Sequence, residues 1–262
     1  MELFDIIRPE ADEVPVLIGF PHSGSHIPEE LVSNYRQEAI DFIDDTDWFL
    51  PRLYEFAPSL GITQIRANYS RWVIDLNRDP KSIPLYNDGR LITGLCTSTN
   101  FLGAPIYKDD KEPDADEVNR RLDKYFWPYY RAIQSTLDGF IQKFGYCILY
   151  DSHSIRSVVP SIQKERFPDM ILGTASGKSA SDAIIQKALT ALRNGPYEVT
   201  YNYPFKGGHI TRYFGRPEQG QHALQLERCK DLYMSNNEMD LDQSKADKMT
   251  ATLKNLFESL ID

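Results

Sequence analysis

Cysteine, histidine and long apolar runs are scarce in this chain of 262 residues, and each shortage removes a class of explanation. The three cysteines, Cys96, Cys147 and Cys229, stand far apart with no CxxC pair. That pattern excludes a cysteine-rich zinc knuckle and fits a reducing compartment, with the three as core filler. No stretch approaches the ~18 uninterrupted apolar residues of a membrane span. The opening MELFDIIRPEADEVP carries acids where a secretory leader has its apolar centre, so neither membrane insertion nor export is expected. Positive charge is also short: 29 Lys and Arg face 38 Asp and Glu, a net charge of −9. Phosphate neutralisation needs a basic surface, so nucleic acid is not an expected partner and a soluble cytoplasmic protein is. Repeats, low-complexity tracts and Gly/Ser-rich linkers are missing too, which predicts a single domain over 1–262.

The chain is otherwise of ordinary globular balance, 41% apolar and 26% charged. VPVLIGF (14–20) and YCILY (146–150) are continuous apolar runs of buried-strand length. Strands are also expected at 61–66, 72–76, 199–203 and 223–226. Helical spacing of apolar residues marks 47–57, a long stretch at 115–143 that Pro128 should kink, 181–192 closed by Gly195, and an amphipathic segment running from Met249 to Leu260. Strands alternating with helices predict an α/β fold with a largely parallel or mixed sheet.

Three of the expected strands end in polar clusters: PHSGSH after the first, DSHS after YCILY, and Glu227 after ALQL. Open α/β sheets bind ligands beyond the carboxyl ends of their strands, so His22, His153 and Glu227 can share one cleft. Neutral imidazole suits zinc, and a catalytic site needs a third protein ligand, for which DDTDW offers Asp44, Asp45 and Asp47. A second cluster, SRWVIDLNRDP (70–80), would place Arg71, Val73 and Asp75 on one face of a strand, with Asn77 and Arg78 at its end. Arginine and asparagine there suit a carboxylate, while Asp75 paired with Arg71 or Arg78 would instead stiffen a loop. A third, FKGGHITRYFGRPEQG (205–220), is a Gly-bearing loop made basic by Lys206, Arg212 and Arg216. Its His209 is open to three roles: transition-state donor, metal ligand or neither.

Taken together, PHSG (21–24), DTDW (45–48), SRWVIDLNR (70–78), DSHSIRS (151–157), FKGGHITRYFGRP (205–217) and ALQLE (223–227) resemble the N-formylglutamate amidohydrolase (deformylase) family. The resemblance runs in order from Val14 to Met234, and the FKGGHITRYFGRP string is its most specific part. It implies a zinc-carboxypeptidase-like (phosphorylase/hydrolase-like) α/β fold: a central mixed, mostly parallel sheet flanked by helices, related also to aspartoacylases. It further implies one divalent metal, zinc foremost, at the carboxyl ends of the strands. The compact HxxE of those relatives is broken here, because Ser25 stands three residues after His22. By resemblance the ligands are therefore His22, Asp47 and His153, with Asp45 as the other choice for the acid.

The same resemblance makes Asn77 and Arg78 substrate-carboxylate binders and Glu227 the catalytic base. Arg71 or His209 would stabilise the oxyanion, and Arg156 or Arg212 would join Arg78 on the two carboxylates. The implied reaction is hydrolysis of N-formyl-L-glutamate to formate and L-glutamate, a step of histidine degradation, and the substrate is a small anionic N-acyl amino acid. The rival expectations are a related metallo-amidohydrolase acting on another N-acyl acidic or peptide-like amide and, further off, a non-catalytic binding protein on the same fold.

Overall fold

The two apolar runs lie side by side at the centre of one mixed sheet. The structure, a computed structural model, describes residues 1–83 and 94–262. Among these residues the strands are β1 (Phe4–Ile7), β2 (Val16–Phe20), β3 (Thr63–Ala67), β4 (Cys147–Ile155), β5 (Met170–Gly173), β6 (Val199–Tyr201) and β7 (Gln221–Cys229). They are ordered β1-β3-β2-β4-β7-β5-β6. The central β3, β2, β4 and β7 are mutually parallel, while β1 on β3 and β5 on β7 are antiparallel. This is the mixed, mostly parallel sheet expected. β2 and β4 are buried throughout because helices cover both faces.

The helices are α1 (Glu29–Val32), α2 (Gln37–Ile40), α3 (Ala115–Arg121), α4 (Trp127–Phe144), α5 (Asp182–Arg193), α6 (His209–Phe214) and α7 (Gln243–Ile261). Strand alternation sorts the core. Leu17, Leu149 and Ala223 face Tyr129, Ile133 and Leu137 of α4 and Ile210 and Phe214 of α6. Ile18, Tyr150 and Leu224 face the opposite way, onto Leu189 of α5 and Leu253 and Phe257 of α7. Each such side chain contributes roughly 1.5–3 kcal/mol on full burial. Ser181 caps α5, its side chain accepting from the Ile184 N–H.

Three sequence expectations need correction. The segment 72–76 is not a strand: β1 occupies the outer edge of β3, and 72–76 is instead pinned as an irregular loop. Its Val73 and Asp75 N–H groups bond to Ser70 O and Leu95 O, and Trp72 Nε1 donates to Asp45. The segment 47–57 forms no α-helix but short 3₁₀ turns, Leu50–Tyr54 and Ala57–Leu60, each opened by a proline that cannot donate. The kink expected near Pro128 takes the form of a π-turn, Leu122–Phe126, inserted before α4, whose first turn carries the proline. In addition, β4 and β7 run past their apolar runs, so His153 and Glu227 lie within the sheet near its carboxyl end.

The irregular loop 70–78 is anchored from below by a buried cation. The Arg121 side chain is fully buried; Nη1 donates to Val73 O and Tyr107 Oη, both at 2.9 Å, and Nε to Glu117 at 2.7 Å. Hydrogen bonds from Arg120 first, then from Arg121, pull the Glu117 carboxyl down to about 2. Its stabilising contribution is thus fully present above the ordinary carboxyl value of 4.5 and is lost as pH falls through 2. Glu117→Gln is expected to cost about 2 kcal/mol at pH 7, less than for a fully buried pair because Glu117 is partly exposed. The gap from wild type should narrow in melts taken from pH 7 to pH 3; a gap independent of pH would mean packing, not charge, is lost.

Candidate functional site

Three parallel strands deliver the site. His22 follows β2 by two residues, and the turn carrying Asp47 docks back on it through the Asp47 N–H to His22 O bond of 2.9 Å. His153 lies on β4, in register with Glu227 on the neighbouring β7, so the two side chains leave the same face of the sheet. Asp47 Oδ2 is 4.0 Å from His22 Nδ1 and 3.6 Å from His153 Nδ1. Ligand atoms of these three buried residues all lie within 4.8 Å of one another. The structure therefore brings His22, Asp47 and His153 together.

The donor chemistry fits a cation. Asp47 Oδ1 accepts from the Ser154 N–H and Oγ, while its buried Oδ2 has no hydrogen-bond partner among the described residues. A buried carboxylate oxygen left in that state is costly unless something positive meets it. The far nitrogen of each imidazole is held by another acid: His22 Nε2 by Asp75 Oδ1 at 2.7 Å, His153 Nε2 by Asp151 Oδ2 at 2.9 Å. With a metal bound, a proton on each Nε2 would leave both Nδ1 lone pairs free to ligate it, the carboxylate–histidine arrangement typical of metal ligands. Two ligand atoms on one zinc stand ~3.3 Å apart, somewhat less than the 3.6 and 4.0 Å between Asp47 Oδ2 and the two Nδ1 atoms. Asp45 is not in the group of His22, Asp47 and His153, and each of its oxygens is engaged, accepting from Trp72 Nε1 and from the Phe101 N–H.

The surrounding charges are set by burial and by pairing. Burial, then Arg71, pushes His22 down to about 4. Burial opposes ionisation of Asp75, yet Arg71, Arg78 and His22 hold it well below the usual carboxylate range. Burial likewise pushes the Glu227 carboxyl up to about 7, with His153 the largest force the other way. That places a half-buried carboxyl, poised near neutrality, beside the histidine cluster.

Both ion pairs suggested for the 70–80 segment are present: Arg71 Nη2 bonds Asp75 Oδ2 at 2.6 Å, and Arg78 Nε lies 3.8 Å from the same oxygen. The Arg71 guanidinium stacks over Phe101, 4.6 Å from the ring centroid. Asn77 is buried among Asp151, His153 and Gln225. His209 opens α6, with Nδ1 3.6 Å from Asp79 and Nε2 buried without a hydrogen bond among the described residues; burial lowers its pKa. Arg212 is exposed on α6, with Nε donating to Gly207 O. Arg156 is engaged elsewhere, pairing with Asp44 and, at 3.0 Å, with Glu238. The sequence reading passed over Asp151, although the two-residue period of β4 puts it on the face of His153. It also passed over Gln225 and over the link from Asp75 to His22, which spans 53 residues and leaves no local trace.

Known proteins bear on this arrangement. The model of the N-formylglutamate amidohydrolase family matches residues 14–234. An N-formylglutamate deformylase of Pseudomonas aeruginosa is 39% identical, the match covering 98% of this chain and 96% of the relative. A Pseudomonas putida protein of the same name is 37% identical over 95% and 92%. Among solved structures, an N-formylglutamate amidohydrolase from Ralstonia eutropha JMP134 superposes with a TM-score of 0.82 at 26% identity, covering 98% of this chain and 96% of that one. With the match spanning most of its length and these relatives beside it, the chain belongs to the N-formylglutamate amidohydrolase family.

Proposed function

We propose that this protein is a metal-dependent amidohydrolase that cleaves N-formyl-L-glutamate to formate and L-glutamate. The observation that carries the reading is the buried Asp47 Oδ2, which has no hydrogen bond among the described residues and faces two imidazole Nδ1 atoms, with Glu227 in register beside His153. The family relatives' names supply the substrate. His22, Asp47 and His153 would hold one divalent metal, zinc by its donor set; when bound, it supplies Lewis-acid polarisation of the formyl carbonyl and acidifies the attacking water.

The chain's own residues do the rest. Glu227 takes the proton of the attacking water and passes it to the amide nitrogen as the C–N bond breaks. Arg71, fixed by Asp75 and Phe101, donates to the oxygen that gains charge, and His209 is the second donor within this reading. Arg78 and Arg212 take the substrate carboxylates. Arg156 serves indirectly, through its pairs with Asp44 and Glu238, by holding the turn that carries Asp47. Among the described residues no helix is long and apolar enough to cross a membrane.

The test measures metal content of the purified chain and formate release from N-formyl-L-glutamate, before and after chelation. About one metal per chain, with release lost on chelation and restored by zinc, is the expected result. Metal without formate release, but with turnover of N-acetyl-L-glutamate or another N-acyl acidic amino acid, would move the substrate while keeping the chemistry. Full formate release from a metal-free chain would sink the metal-dependent reading.

A further inference from the structure

Asn77 is only 4% exposed, and its groups point inward to three different elements. Its Nδ2 donates to Asp151 Oδ2 at 3.2 Å and to Gln225 Oε1 at 3.4 Å, and lies 2.9 Å from His153 Nε2. Its Oδ1 accepts from the Ile210 N–H at 2.8 Å, and its backbone carbonyl from the His209 N–H at 3.4 Å. Gln225 Oε1 in turn accepts the Gly208 N–H at 2.7 Å. The loop is seated so closely that a Cβ on Gly208 would come within 2.4 Å of the Asn77 amide.

We infer that Asn77 is a positioning residue that couples metal capture at His153 to the seating of the 205–216 loop bearing His209, an inference that rests on the metal centre proposed above. The physical link is one carboxylate oxygen. Asp151 Oδ2 must take the His153 Nε2 proton if Nδ1 is to face Asp47, and Asn77 Nδ2 donates to that same oxygen. Fixing the imidazole therefore fixes Asn77, and Asn77 fixes the first N–H groups of α6. The coupling is reciprocal: a seated loop holds His153 ready for the metal, and a bound metal holds the loop. A residue that merely gripped the substrate carboxylate would affect substrate binding and leave metal affinity alone.

The experiment uses the full chain as wild type, Asn77→Ala and Gln225→Met. Zinc affinity is measured by competition with a chromophoric chelator, and amide hydrogen exchange of residues 205–216 is followed with and without zinc. In the wild type, zinc should slow exchange in the loop. Asn77→Ala should weaken zinc by roughly 10–100-fold, as for other outer partners of ligating histidines, and abolish the slowing. Gln225→Met leaves the Asp151–His153–Asn77 contacts in place, so it should keep zinc affinity within a few-fold while losing the response near Gly208.

Wild-type zinc affinity and loop response in Asn77→Ala, with the defect confined to KM, would overturn the inference and make Asn77 a substrate ligand. Should Asn77→Ala fail to fold, Asn77→Ser, which also lacks the amide, takes its place, and wild-type zinc affinity and loop response there would overturn the coupling. Failure of the wild type itself to bind zinc is a different result and strikes the metal centre instead.

Discussion

Glu227→Gln is expected to lower formate release by roughly 10²–10⁴-fold, toward the upper end, while about one metal per chain remains bound. The substitution keeps the length and shape of the side chain and removes only its capacity to accept a proton. None of the three proposed metal ligands touches it through a hydrogen bond among the described residues; its link to them is the β4–β7 register with His153. The environment suits the role assigned to it. Burial lifts the Glu227 carboxyl to about 7, with Asp47 adding to that and His153 opposing it. A base with a pKa near neutrality can take a proton from water and give it up again to the leaving amine, and both transfers fail in the amide. KM should change little, because Arg78 and Arg212 are untouched. Turnover and metal content read together decide the matter: wild-type kcat in Glu227→Gln would sink the mechanism. Loss of metal along with activity would show that Glu227 builds the site instead of acting in it.

The legible parts of this protein were those carried by regular periodicity. YCILY followed by DSHS announced a buried strand with histidine near its end, and ALQLE did the same for Glu227; β4 and β7 then place both in register. Asp151 was equally readable in principle, since it shares the His153 face of β4, but a lone acid in a strand carries no sign of what it meets. Irregular structure was not legible. The pattern of Trp72–Leu76 is that of a half-buried strand, and bonds that no local pattern announces, from Arg121 to Val73 O and from Trp72 to Asp45, help to hold it as a loop. The same limit governs the arginines. Arg156 and Arg78 look alike as carboxylate binders in sequence, yet Arg78 pairs with Asp75 three residues away and Arg156 with Asp44 and Glu238 across distances of 112 and 82 residues. FDII at the N-terminus is too short to stand out from its acidic surroundings, and it becomes β1 because β3 offers it an edge.

Zinc is expected to raise the Tm of the wild-type chain and Asp47→Asn to abolish that rise, with the metal-free variant melting within a few degrees of metal-free wild type. The amide keeps an oxygen for the Ser154 N–H and Oγ, so the turn stays anchored. At the position of Oδ2 it presents an uncharged N–H₂ group toward the two Nδ1 atoms, which a divalent cation cannot use. In the metal-free chain two effects oppose each other. Removing a buried carboxylate oxygen without a hydrogen-bond partner is favourable, and losing its attraction to His153 and His22 is not. If the proposed centre binds zinc, a 100-fold excess over the dissociation constant would stabilise the wild type by about 2.7 kcal/mol, or roughly 5–10 °C for a chain of this size. Asp45→Asn provides the contrast. Asp45 accepts from Trp72 and Phe101 and lies outside the His22, Asp47 and His153 group, so this variant should melt lower yet keep the full zinc-dependent rise. The opposite pattern, with zinc response retained in Asp47→Asn and lost in Asp45→Asn, would transfer the ligand role to Asp45 and require the DDTDW turn to rearrange around the metal.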